Sequence, residues 1–398
     1  MSKMLEGLKV IDITNNIAGP GAAAMLADHG AEVIHIEKPI WGDDARNYVP
    51  QMDGVSACFM FNNRNKKSVV MNLKDPEAVE TVKKLAAQAD VFIEANRPGV
   101  MKRLGLDYDT LKGINPRLVY CSISAFGQTG PKAQIPGYDI IAQAYSGMAY
   151  YTGEPGTAPV KNYFAVGDFV AGYNAYGSIM TALYYRAVTG KGQYVDVSLA
   201  RGLLTMNMCI SDHVSGVRRR KTGNHDMHLC PYGIFNGPNG DNVIIGAINV
   251  NTWRNLCRAM DRPELAEDPR YITNAVRVHN KDEVIKLVED WLQSYDTIDE
   301  AIELLNKYGV PNIKAFDVED ILSDDHALSQ GWIRDFPTPA SVKSADSVPG
   351  IFGYADFSEG EIELRAAPDL GEHNMEVLTG CGLSEEEARR LTDKWMKG

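Results

Sequence analysis

Between Lys161 and Arg186 the chain carries a single charged side chain, Asp168, in the run Tyr163-Phe-Ala-Val-Gly-Asp-Phe-Val-Ala-Gly172 and its continuation to Tyr185. A carboxylate among apolar residues is costly unless it is hydrogen-bonded or paired. Two kinds of chemistry would justify one there. Asp168 follows Gly167 and precedes a helically spaced run, so it suits a helix N-cap that accepts orphan backbone N–H groups. It equally suits a desolvated nucleophile or acid–base group aimed at a cleft. The two roles are compatible, because a helix N-terminus also stabilises a reactive anion.

Asp168 needs elements to hold it, and the first half of the chain supplies alternating strands and helices. Strands are expected over Leu8–Thr14, Ala31–Glu37, Asp90–Glu94 and Arg117–Ser124, and helices over Pro20–His29 and from Asp75 to about Gln88. Asp75-Pro76 reads as a capping residue followed by proline in the first turn. This alternation predicts an α/β fold with a mostly parallel sheet covered by helices. From about His225 to Asn306 the pattern changes to a short β segment, 242–248, followed by helix-rich stretches near 251–261 and 282–307. A smaller inserted α+β domain over 225–310 is therefore expected. The large domain would comprise 1–220 and 315–398, closing with a helix over 383–396. Arg218-Arg-Arg-Lys221, at the entrance to the insertion, reads as a solvated linker.

Ligands of open α/β sheets bind beyond the carboxyl ends of the strands. Those ends carry Asn15 to Gly19, Lys38, Asn96-Arg97-Pro-Gly99, and Ala125 to Pro131 leading to Gly137-Tyr-Asp139. Lys66, Lys67, Lys74, Lys102 and Arg103 add positive charge nearby, so an anionic, nucleotide-bearing ligand is expected. Gly19-Pro-Gly-Ala-Ala-Ala24 matches G-x-G-x-x-A, with Glu37 at the end of the next strand, which raises an NAD reading. Against it, Asn15-Asn-Ile-Ala18 separates the strand from the first glycine, and Pro20 removes a donor where donors should meet phosphate.

Composition narrows the classes. The 398 residues carry a net charge of −12, which argues against a general nucleic-acid binder. No apolar run approaches the ~20 residues of a membrane helix, and Met1 to Lys9 lacks the apolar core of a signal peptide. Cys58, Cys121, Cys209, Cys230, Cys257 and Cys381 are scattered with no C-x-x-C pair, which suits a reduced, cytoplasmic setting. His225-Asp-Met-His228 is the only close histidine pair and reads as a polar loop, so no metal site is expected.

Taken in order, a set of short segments resembles the class III CoA-transferase family over essentially the whole chain. These are Ala18-Gly-Pro20, Gly30-Ala-Glu-Val-Ile34 with Ile36-Glu37, Asn65-Lys-Lys-Ser68, Phe126-Gly-Gln-Thr-Gly-Pro131 and Gly137-Tyr-Asp139. Thr189-Gly-Lys-Gly-Gln193 with Val195-Asp-Val-Ser198, and Ala367-Pro-Asp-Leu-Gly-Glu-His373, complete it. The resemblance implies a Rossmann-like large domain, an inserted small domain and an interlocked homodimer. It puts the nucleophile of a G-D-x-x-x-G segment on Asp168. The carboxylate would attack an acyl-CoA thioester to give a mixed anhydride, then an aspartyl-CoA thioester that a free carboxylic acid consumes. Coenzyme A would be substrate, with no tightly bound cofactor. By position the resemblance assigns its contacts to Ile17, Ala18, Lys38, Asn72, Lys74, Asn96, Arg97, Arg103, Tyr138 and Asp139, with Lys38 and Arg103 meeting phosphates. Related α-methylacyl-CoA racemases need a histidine immediately before the Asp of the Gly137-Tyr-Asp segment. Tyr138 stands there, and a phenol near pKa 10 is a poor base for a proton α to a thioester. A non-catalytic CoA-binding protein is the alternative of another class. Ile17 replaces the glutamine of formyl-CoA transferase, and the segment 225–233 lacks that enzyme's glycine run, which argues against oxalate or formyl specificity. Donor and acceptor stay open.

Overall fold

The computed structural model describes residues 3–353, 355–360 and 362–398. Six short strands build the central sheet: β1 (Lys9–Ile13), β2 (Glu32–Glu37), β3 (Lys67–Val70), β4 (Val91–Glu94), β5 (Val119–Ser124) and β6 (Tyr194–Ser198). They pair in the order β3-β2-β1-β4-β5-β6, and every pairing is parallel. Val10, Ile11, Val33, Ile36, Val91, Phe92 and Ile93 are buried, as expected for strands covered on both faces. Chain order steps outward from β1 to β3 on one side and from β4 to β6 on the other. The loops after β1 and β4 therefore diverge, and the crevice of an open α/β sheet lies there.

The helices that matter for the site are α1 (Ala18–Asp28), α2 (Pro76–Gln88), α3 (Val100–Leu104), α4 (Asp139–Tyr145) and α5 (Val166–Thr189). Alanine and glycine dominate α1, so it can approach α5 closely. A Cβ on Gly172 of α5 would lie 3.0 Å from the Ala18 carbonyl oxygen. Gly19 is equally constrained, since its Cβ would fall 2.3 Å from Cβ of Thr14. Pro20 is tolerated because it sits in the first turn of α1, where its missing N–H has no intrahelical partner.

The chain divides into two compact units. The first comprises Met1–Gly147, Asn162–Asn207 and Asp325–Gly398, and the second Met148–Lys161 and Met208–Asp324. In the second unit an antiparallel sheet of β7 (Tyr232–Asn236), β8 (Asn242–Gly246) and β9 (Asn312–Lys314) packs with α6 (Val250–Ala259), α7 (Lys281–Leu292) and α8 (Ile298–Lys307). Phe235, Val243, Trp253, Leu256, Val288 and Leu305 form its core.

This unit extends beyond 225–310 for local reasons. β9 adds to the sheet edge, and Gly223 N–H donates to the Gly153 carbonyl at 3.2 Å, tying in 148–161. The basic run is correspondingly less solvated than its composition suggests. Arg219 pairs with Asp212, and Lys221 Nζ donates to the Ala158 carbonyl. In the first unit the chain closes with α9 (Glu385–Met396), whose Trp395 Nε1 donates to Asp75 Oδ2 at 2.8 Å beside α2. No helix among the described residues is long and apolar enough to cross a membrane.

Candidate active site

Helix α5 begins with Ala165 at its N-cap and no side-chain cap, so Asp168 is its third helical residue and not a cap. The capping expectation is thus overturned: Asp139 Oδ1, from α4, accepts the Gly167 N–H at 2.6 Å. Gly167 allows that approach, because a Cβ there would sit 2.9 Å from the same oxygen. The other oxygen of Asp139 accepts Gln143 Nε2 at 2.6 Å. Asp139 was expected to touch a ligand; one of its oxygens holds the start of α5 and the other holds Gln143 of its own helix.

Among the described residues nothing donates a hydrogen bond to Asp168. Burial first, and then the Asp139 carboxylate, push its pKa up to about 7. Such a carboxylate is partly desolvated, uncompensated and destabilised as an anion, which makes it a stronger nucleophile than a paired one. Gly172, one turn on, lies against Ala18 and couples the start of α5 to the start of α1.

The loop before α1 is fixed by the segment after β2. Asn15 Nδ2 donates to Asp44 Oδ2 at 2.7 Å and its Oδ1 accepts the Asp44 N–H at 2.7 Å. Asn16, at φ +73°, donates its N–H to Asp43 Oδ1 at 2.9 Å and accepts the Tyr48 hydroxyl. Burial raises the Tyr48 phenol to about 12, with Asp44 next in effect and Tyr138 also among its electrostatic neighbours. Cys58 joins this wall: burial raises its thiol, and Asp43 and Asp168 add to the shift. Tyr48 thus links Asn16 to Cys58, and Cys58 in turn has Asp168 among its electrostatic neighbours.

Beneath the loop lies a closed charge network. Register places Asp12, His35 and Ser68 side by side on β1, β2 and β3. Lys66 Nζ donates to Asp12 Oδ2 at 2.9 Å. The His35 ring nitrogens lie 3.0 Å from Asp12 Oδ2 and 3.5 Å from Asp43 Oδ2, as ion-pair contacts without hydrogen-bond alignment. Glu37 accepts from Nε and Nη2 of Arg46, each at 2.7 Å, and from the Asp43 N–H at 2.8 Å. Three acids (Asp12, Glu37, Asp43) thereby balance three bases (His35, Arg46, Lys66). Burial alone would lower His35, but Asp12 and then Asp43 outweigh it and raise the imidazole to about 9. Against burial, Lys66 and His35 hold Asp12 well below the usual carboxylate range. Glu37 is consumed by Arg46 and Gly19 by Thr14, which removes the acid and the glycine that an NAD site would use.

The remaining expected contacts occupy the carboxyl ends of the strands, all in the first unit. Ile17 is the partly exposed N-cap of α1, and Ala18 is buried with its carbonyl against Gly172. Lys38, after β2, pairs with Asp44. Asn72, after β3, turns its side chain onto the Lys74 N–H at 3.1 Å, and Lys74 is exposed. After β4, Asn96 donates its N–H to Glu94 Oε2 at 2.7 Å, with exposed Arg97 beside it. Arg103 of α3 reaches back over the turn, its Nη1 3.5 Å from where a Cβ of Gly99 would stand. Tyr138 is 71% exposed at the N-cap of α4. Among the described residues no carboxylate pairs with Lys74, Arg97, Lys102 or Arg103. Lys66 and Lys67 leave the expected cationic set, the first bound to Asp12 and the second to Glu32 and Glu376. Gln143, Asp43 and Tyr48 escaped sequence reasoning, whereas Asn16 fell within the expected 15–19 loop. Only Gln143 carried a signal, its spacing four residues after Asp139 on one helix.

Comparison with known proteins agrees with this architecture. Residues 5–374 match the family model of CoA-transferase family III. The chain is 36% identical over 383 residues to succinyl-CoA:glutarate CoA-transferase of Homo sapiens, covering 94% of this chain and 85% of that protein. It is 39% identical over 320 residues to acetyl-CoA:oxalate CoA-transferase of Acetobacter aceti, covering 79% and 81% of the two. The crystal structure of a CaiB/BaiF family protein from Brucella suis superposes with a TM-score of 0.84 at 33% identity, covering 96% of this chain and all of that one. The chain belongs to CoA-transferase family III.

Proposed function

We propose that this enzyme reversibly transfers CoA from an acyl-CoA donor to a free carboxylic acid with Asp168 as the covalent nucleophile. One observation carries the reading: Asp168 is a half-buried carboxylate with no hydrogen-bond donor among the described residues, at the start of α5 and beside the loop that opens α1. An Asp168 oxygen attacks the thioester carbonyl, the C–S bond breaks, and CoA leaves as thiolate from a mixed anhydride. The thiolate then attacks the Asp168 carbonyl and expels the donor's carboxylate, leaving an aspartyl-CoA thioester. The acceptor carboxylate attacks that thioester, and the released thiolate takes the acceptor's acyl group, restoring Asp168. Partial burial of the carboxylate serves this sequence by limiting hydrolysis of the anhydride.

Lys74, Arg97 and Arg103 are free to meet CoA phosphates, and Lys38 can exchange Asp44 for one. Ile17, Ala18, Asn72, Asn96 and Tyr138 would line the rest of the ligand's path. Asp139 serves by holding Gly167. Because the relatives include a succinyl-CoA:glutarate CoA-transferase, we assign succinyl-CoA as donor and a short dicarboxylate as acceptor. The exposed face of α5, with Phe169, Tyr173, Tyr184 and Val188, supports a homodimer in which a second copy covers it.

Incubation with succinyl-CoA and glutarate tests this directly. Glutaryl-CoA should form with the wild type and fall below detection with Asp168→Ala. Turnover retained by a folded Asp168→Ala would refute the nucleophile. Exchange of α-protons with deuterated solvent without CoA transfer would favour a racemase.

A further inference from the structure

Gln143 is 1% exposed, yet every polar atom of its amide is used, and every partner lies on the path to Asp168. Its Nε2 donates to Asp139 Oδ2 at 2.6 Å and to the Phe164 carbonyl at 3.2 Å, while its Oε1 accepts the Asn162 N–H at 2.8 Å. These bonds fix the amide's orientation, since the reverse would set its oxygen against a carboxylate and a carbonyl. Asn162 Oδ1 in turn accepts the Phe164 N–H at 2.9 Å, so the segment entering α5 is turned and clamped. Asp139 reaches the Gly167 N–H with its second oxygen, one residue before Asp168.

We propose that Gln143 is a positioning residue for the transfer reaction, holding Asp139 and the 162–164 segment so that α5 presents Asp168 in one orientation. This rests on the reading of Asp168 as nucleophile. The amide is neutral, so it can bind the Asp139 carboxylate without competing for its charge. A carboxylate in its place would face Asp139 at hydrogen-bond distance and splay the two apart. A protonated carboxyl could still donate to Asp139 and accept from Asn162. Asp139 is the only titratable partner among the amide's described contacts.

The test compares Gln143→Glu and Gln143→Met with wild type in the full-length protein, following kcat and KM for succinyl-CoA across pH. Ratios to wild type remove the pH dependence that the neutral variant Gln143→Met shares with it. Gln143→Met should lose about 10- to 100-fold in kcat at every pH, with KM within about threefold. Gln143→Glu should approach wild type near about pH 5.5, where its carboxyl keeps a proton, and should fall to the level of Gln143→Met by about pH 8.5. A purely structural role would lower the melting temperature and leave both ratios flat near one, overturning the proposal. So would a pH-independent loss in Gln143→Glu, and that variant alone decides the matter if Gln143→Met fails to fold. Hydroxylamine trapping of the wild type keeps the two readings apart, because a missing Asp168 adduct there refutes the nucleophile whatever the Gln143 variants do.

Discussion

Asp168 was legible because one charge in a long apolar run demands a reason, and the local sequence offered two. The cap failed on geometry: the acceptor for the first turn of α5 comes from Asp139, distant in sequence, and no local pattern announces a residue that reaches in from another helix. Tyr48 and Cys58 were invisible for the same reason, since only tertiary folding links them to the Asn16 loop and to Asp168. A residue raised to about 7 from 3.8 binds its proton more tightly in the folded chain than in the unfolded one. Its ionisation therefore costs stability, increasingly as pH rises from about 4 to 7. Asp168→Asn should accordingly be more stable than wild type by about 1–3 kcal/mol at pH 8, after allowance for partial exposure. The advantage should shrink toward pH 4, as read from urea melts at both pH values. An unchanged or lowered stability at pH 8 would mean that Asp168 is not strained as an anion.

At the scale of elements, β1, β2, β4 and β5 were readable as buried apolar runs, and α1, α2 and α9 as helices. The edge strands β3 and β6 were not. β3 has only four residues, opens with Lys67 and Ser68, and follows Asn65 at φ +64°, so no alternation marks it. The helix-rich stretch expected near 282–307 holds two helices, α7 and α8, separated by residues 293–297. Contact between α1 and α5 ties the Ile17 loop to Asp168. Gly172→Ala would force a Cβ to 3.0 Å from the Ala18 carbonyl, and overpacking of this kind should destabilise by about 1–3 kcal/mol. Its kcat should fall with its stability, as read from steady-state rates and urea melts of the same variant. The charge network under the same loop makes a pH prediction. His35 is raised from 6.5 to about 9, so its contribution is complete below about pH 6.5 and is lost as pH rises through 9. Wild-type stability should decline across that window by up to about 1.4 kcal/mol per pH unit, and His35→Gln should lack the slope. A wild-type curve flat from pH 6.5 to 9.5 would show that the imidazole is neutral.

For the whole molecule, the resemblance held where single motifs were weak, because the order of many short segments spans the chain and matches a parallel sheet with its switch point between β1 and β4. The limits of the second unit were less legible: its membership depends on sheet addition by β9 and on backbone bonds to 148–161, which leave no compositional boundary. The apolar exposed face of α5 predicts self-association. Light scattering at micromolar concentration should give about twice the 43.8 kDa of one chain, and Tyr173→Glu with Tyr184→Glu should shift it to one. A wild-type monomer would contradict the homodimer. The central claim is that Asp168 becomes acylated, and the most direct measurement is mass spectrometry of the protein incubated with succinyl-CoA and trapped with hydroxylamine. The account predicts a hydroxamate on the peptide containing Asp168, absent without succinyl-CoA and absent in Asp168→Ala. Turnover with no modification at Asp168 would contradict it.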